Sequence, residues 1–154
     1  MNTLRETLEY IKENGENKII ALVASGDPTF FGVSEYIRKN YPGNVEVIPG
    51  ISSFQYLTCK LNKSWSTSFT GSVHGRSESF IEKVSENKLS IWLTDNKNNV
   101  SFLCKLLSEN NINCKVIIGE YLSYENEKIL EGRPDDFINE EFSDMTILVV
   151  ENMF

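Results

Sequence analysis

The feature that most constrains this chain is a pattern that occurs twice in its first 61 residues: a segment of strand length, a break of turn-forming residues, then a helical segment. Residues 18–24 read Lys-Ile-Ile-Ala-Leu-Val-Ala and stop at Ser25-Gly26-Asp27-Pro28. Residues 45–48 read Val-Glu-Val-Ile and stop at Pro49-Gly50. A continuous apolar run such as the first suits a parallel strand buried on both faces. Helical patterns follow at 32–40 and from Ser52 or Ser53 to about Leu61. Strand, turn and helix in this alternation predict a parallel sheet carrying helices. A further helix comes first, with Thr3 as its cap and Leu4, Leu8 and Ile11 on one face.

The pattern pauses at Asn62-Lys63-Ser64, which places a domain boundary between residues 63 and 64. Beyond it the sequence predicts strands at 67–72, 89–93, 114–118, 128–130 and 146–150, with helices at 78–85 and 99–109. The expected class is α/β in two domains, residues 1–63 and 64–154.

Composition narrows the possible functions. Net charge is −7, with 15 basic residues scattered among 22 acidic ones. A nucleic-acid binder needs a basic stripe to neutralise phosphates, so DNA and RNA are not expected partners. No apolar run approaches the length of a membrane span, and the first residues carry no signal-peptide pattern. A cytoplasmic location is therefore expected. Cys59, Cys104 and Cys114 form no CxxC pair and the chain has one histidine, so no metal site is expected and buried, reduced thiols are.

Three turns fall at the C-terminal ends of expected strands, where open α/β sheets bind ligands. In the first, Gly26 allows close backbone approach and Asp27 can accept hydrogen bonds from an amine or a ribose hydroxyl, although an Asx turn alone would use the same residues. In the second, Pro49-Gly50-Ile51-Ser52-Ser53 offers backbone N–H groups and hydroxyls at a helix start, or simply a serine cap. In the third, the single histidine and an arginine flank a glycine in Ser72-Val73-His74-Gly75-Arg76, residue types that can clamp a carboxylate.

Taken together and in order, Ser-Gly-Asp-Pro-x-Phe-Phe-Gly, Val-Ile-Pro-Gly-Ile-Ser-Ser and Ser-Val-His-Gly-Arg resemble the precorrin-6Y C5,15-methyltransferase family of tetrapyrrole methylases. Trp92-Leu93-Thr94-Asp95 and Gly119-Glu120-Tyr121-Leu122-Ser123-Tyr124 extend the match. The resemblance implies two α/β domains, an incomplete parallel sheet followed by a mixed one, with S-adenosylmethionine in the cleft between them. It places Gly26, Asp27 and Phe30 on a first cofactor loop, Ser52 and Ser53 on a second, and Leu93, Glu120 and Tyr121 as contacts from the second domain. His74 and Arg76 fall on the tetrapyrrole side. It also implies a homodimer, and C-methylation at C5 of a precorrin or cobalt-precorrin in cobalamin biosynthesis. No residue presents itself as a catalytic base. With no second methyltransferase domain after Phe154, C15 chemistry is expected to belong to another protein.

The family's leading strand and G-x-G-P-G turn have no counterpart before Ser25. A βαβ unit takes roughly 30 residues or more, so at least one strand–helix unit is expected to be lacking. Residues up to about Leu61 are then expected to be the less stable part. The rival readings are a non-catalytic fragment of the same fold and another relative, such as a different tetrapyrrole methylase or diphthine synthase.

Overall fold

A computed structural model of the chain describes residues 3–73 and 79–153. It divides into two compact units, Met1–Ser52 and Ser53–Phe154, a split that falls before the 63/64 boundary read from sequence.

In the first unit, helix α1 (Leu4–Asn14) opens with a reciprocal capping box. The Glu6 amide donates to Thr3 Oγ1 at 3.3 Å, and the Thr3 amide donates to Glu6 Oε2 at 2.7 Å. Two otherwise orphaned helix donors are thereby satisfied. Leu8 and Ile11 of this helix and Ile37 of helix α2 (Ser34–Asn40) form a small core, backed by Ile20, Val33, Tyr41 and Val45.

The expected parallel strands of this unit are not formed. Neither 18–24 nor 45–48 belongs to a β-ladder, and no described residue of the unit does. Ile19 is fully exposed, Val23 is 91% exposed and Ile48 77%. Both segments line a groove of about 540 Å³ instead of pairing. A strand exists only with a neighbour about 4.8 Å away to take its N–H and C=O groups. The apolar pattern is right for burial, but among the described residues these segments have no such neighbour.

The second unit has a full sheet. Its strands β1 (Phe69–Ser72), β2 (Leu89–Leu93), β3 (Cys114–Glu120), β4 (Lys128–Gly132) and β5 (Thr146–Asn152) lie in the order β1-β2-β5-β3-β4. β1 and β2 are parallel and the other pairings antiparallel. Helices α3 (Ser53–Lys60), α4 (Phe80–Glu86) and α5 (Val100–Glu109) complete it with a 3₁₀ turn at Pro134–Phe137.

Alternation along the strands fills both faces of the sheet. Trp92, Val116, Ile118, Leu148 and Val150 join Phe80, Val84, Leu103 and Leu107 of α4 and α5 in one core. Their alternates Ile91, Ile117, Ile147 and Val149 are equally buried. Leu57 of α3, with no exposed surface, packs against Gly119. Trp92 Nε1 donates to Ser90 Oγ at 2.9 Å, which satisfies a buried indole. Asn99 caps α5 by accepting the Phe102 amide at 2.9 Å.

Burial raises the Cys104 and Cys114 thiols to about 12 and about 11. Cys59 corrects the expectation of three buried thiols: it is exposed, because α3 buries Phe54, Leu57 and Thr58 and turns the next position outward.

The unequal cores predict unequal protection. Amides at 18–24 and 45–48 should exchange with solvent far faster than those of β3 and β5. Hydrogen exchange by NMR checks this, and equal protection would contradict the unpaired state of those segments.

Candidate functional site

The first two loops singled out in the sequence meet in the first unit. Gly26 takes φ +63°, a left-handed conformation that favours glycine. A Cβ on Gly26 would lie 3.2 Å from Ser52 Cα, and one on Gly50 would lie 2.2 Å from the Gly26 carbonyl oxygen. The two turns therefore touch backbone to backbone, and two missing side chains permit it. Gly26, Asp27 and Ser52 are brought together here, with Ser52 buried.

Asp27 accepts the Thr29 amide at 2.7 Å and the Thr29 hydroxyl, the geometry of an Asx turn. Its carboxyl is held below the usual range, first by the Thr29 hydroxyl, then by the Thr29 amide, with the Phe30 and Gly50 amides adding to them. Asp27 is thus an ionised acceptor tied to both turns. Phe30 donates its amide to the Asp27 carbonyl at 3.2 Å and stacks edge-on against Phe31, ring centroids 4.8 Å apart.

The remaining candidates lie in the second unit. Ser53 is exposed at the first position of α3. Leu93 ends β2, half-buried, and its carbonyl accepts the Val73 amide at 3.0 Å. Asn98 Nδ2 donates to the Val73 carbonyl at 2.7 Å and so anchors the end of β1. His74 and Arg76 lie outside the described residues.

Glu120 ends β3 and is only 5% exposed. Its Oε1 accepts the Ser143 amide at 2.7 Å, and Oε2 is 3.5 Å from Lys128 Nζ. A buried carboxylate needs such partners. Tyr121, directly after it, is half-buried with φ +49°, and Ser123 has φ +70°. Left-handed non-glycine residues of this kind each cost of order 1–3 kcal/mol and persist only when their surroundings hold them.

The Tyr121 amide is held by the Met145 carbonyl at 3.1 Å, and Ser123 is held by Glu127. It accepts the Ser123 amide at 2.7 Å and pairs with Lys60 Nζ at 2.9 Å. Its carboxyl is lowered to about 2, first by the Ser123 amide, then by Lys60 and Tyr56. A depressed carboxyl contributes above its ordinary value of 4.5 and loses that contribution as pH falls toward about 2, but solvent screening at this partly exposed group keeps the effect on stability small.

Among the described residues no three His, Cys, Asp or Glu side chains gather as a metal site. Backbone amides, hydroxyls and one ionised carboxylate at the loop ends suit the binding and orientation of a polar ligand.

These features define an α/β protein with polar loops at the ends of its elements, and its relatives give the family. The chain belongs to the tetrapyrrole methylases: the family model described as Tetrapyrrole (Corrin/Porphyrin) Methylases matches residues 1–137. It is 35% identical to the probable cobalt-precorrin-7 C(5)-methyltransferase of Methanocaldococcus jannaschii, over 97% of this chain and 74% of that one. It is 28% identical to the cobalt-precorrin-7 C(5)-methyltransferase of Salmonella typhimurium, over 88% and 67%. Its fold matches the precorrin-6Y methylase structure from Archaeoglobus fulgidus with a TM-score of 0.74, at 24% identity over 100% of this chain and 74% of that one. It also matches a uroporphyrin-III C-methyltransferase from Thermus thermophilus, solved with S-adenosyl homocysteine, with a TM-score of 0.75, at 15% identity over 96% and 72%.

Two contributors to this arrangement were not singled out as site residues from sequence. Gly50 was legible only as part of a turn, since its close approach to Gly26 is tertiary. Glu127 gave no signal, because Lys60 lies 67 residues away. Gly50→Ala should force the two turns apart and destabilise the first unit by about 1–3 kcal/mol. Denaturant unfolding together with the chemical shifts of the Asp27 and Thr29 amides measures it. Unchanged stability and shifts would show that the close approach is dispensable.

Proposed function

We propose that this protein is an S-adenosylmethionine-dependent methyltransferase acting at C5 of a precorrin or cobalt-precorrin in cobalamin biosynthesis. The observation that carries the reading is the 35% identity to a probable cobalt-precorrin-7 C(5)-methyltransferase across 97% of the chain. The ordered motifs support it, as does the meeting of Gly26 and Asp27 with Gly50 and Ser52.

The donor set fits such a cofactor. Gly26 leaves its backbone open to close approach, Asp27 accepts from an amine or ribose hydroxyl, and Phe30, Ser52 and Ser53 complete that set. From the second unit, Leu93 and Tyr121 supply contacts, while Glu120 acts by holding the turn at Ser143. When bound, S-adenosylmethionine supplies a methyl group already activated by its sulfonium sulfur. The protein's task is then alignment, which can be worth several kcal/mol, rather than acid–base chemistry. His74 and Arg76 hold a carboxylate of the tetrapyrrole. In this reading residues 1–63 and 64–154 correspond to the family's two domains, and the chain works as a homodimer.

A second reading, binding without turnover, draws on the unpaired segments at 18–24 and 45–48. One experiment separates the two. Incubation with methyl-labelled S-adenosylmethionine and cobalt-precorrin should yield a product carrying one labelled methyl at C5 by mass spectrometry and NMR. Cofactor binding with no transfer would favour the second reading. Arg76→Ala should weaken tetrapyrrole binding by about 1.5–3 kcal/mol, one charge-assisted hydrogen bond, and leave S-adenosylhomocysteine affinity unchanged. Equal loss of both affinities would overturn the assignment of Arg76 to substrate.

A further inference from the structure

The loop after β3 holds a conformation that its own sequence does not favour. Residues 121–127 contain no glycine, yet Tyr121 and Ser123 both have left-handed φ values, 49° and 70°. Between them Leu122 is pinned, its Cδ atoms 2.9 and 3.0 Å from where a Cβ on Gly119 would stand, and Leu57 of α3 reaches the same point at 3.1 Å. The Tyr121 amide donates to the Met145 carbonyl at 3.1 Å and the Tyr124 amide to the Tyr121 carbonyl at 3.0 Å, and the side-chain restraint on Ser123 is Glu127. One carboxylate oxygen accepts the Ser123 amide at 2.7 Å and the other takes Lys60 Nζ at 2.9 Å. Lys60 ends α3 and also lies 5.3 Å over the Tyr56 ring. One carboxylate thus joins the loop that starts at Tyr121 to the helix that starts at Ser53.

We infer that Glu127 is a positioning residue, clamping this loop onto α3 so that Tyr121 and Ser53 are presented to the methyl donor in fixed relation. The inference rests on the cofactor reading of those two residues. Glu127 itself touches no reacting atom. Its ion pair is partly exposed, with side-chain exposures of 47% for Lys60 and 18% for Glu127. Pairs of that kind add little to global stability. A positioning role and a structural role therefore predict different things.

The test compares Glu127→Ala, Glu127→Gln and Lys60→Met in the full chain. It uses S-adenosylhomocysteine titration, amide exchange at Ser123 and thermal unfolding. Glu127→Ala should weaken S-adenosylhomocysteine about tenfold, the scale of one lost hydrogen bond to a charged acceptor, and speed exchange at Ser123. Glu127→Gln keeps an acceptor and should recover most of the affinity, with Lys60→Met in between. The unfolding midpoint should barely move. Unchanged affinity and exchange in Glu127→Ala would overturn the inference. So would affinity and unfolding midpoint falling together, with glutamine no better than alanine. A wild-type chain that takes up no S-adenosylhomocysteine would sink the cofactor reading itself, and the inference with it, whatever the variants do.

Discussion

β3 and β5 pair antiparallel along seven residues each, from Cys114 opposite Asn152 to Glu120 opposite Thr146, and both strands are buried on both faces. Every other strand attaches to one of these two: β2 to β5, β4 to β3, and β1 through β2. Burying an isoleucine or valine side chain stabilises by about 1.5–3 kcal/mol, and the pair buries Val116, Ile117, Ile118, Ile147, Leu148, Val149 and Val150. The ladder satisfies the backbone polar groups that this burial removes from water. Glu120 closes this pair opposite Thr146, and Tyr121 follows it directly.

The first unit is organised by a different constraint. Its buried core is three residues, Leu8, Ile11 and Ile37, and it has no ladder among the described residues. The geometry of its loops is set by contact between Gly26 and the Gly50–Ser52 turn, with Asp27 bonded across both. A loop pair of this kind is fixed locally by absent side chains and short hydrogen bonds, and it needs little from the surrounding core.

Most of the second unit was legible in the sequence. The strand at 89–93 and the capped helix after Asn99 appear where periodicity placed them. β3, β4 and β5 run two residues beyond their expected ends, because pairing carries a strand past the point where its apolar pattern stops. The strands of the first unit failed for a physical reason: apolar pattern reports a preference for burial, whereas a strand also requires a partner, and 18–24 and 45–48 have none among the described residues. Of the candidate site, the loop residues could be read because each follows an apolar run. The burial of Glu120 against Ser143 and the Lys60–Glu127 pair could not, since both join residues distant in sequence.

The proposed cofactor role of these loops is open to direct measurement. The most direct measurement is the map of backbone amide shifts on titration with S-adenosylhomocysteine. Saturable shifts confined to residues 25–31, 50–53, 93–95 and 119–123 are predicted. Shifts concentrated in α4 and α5, or none at a ligand concentration that saturates a related tetrapyrrole methylase, would contradict it.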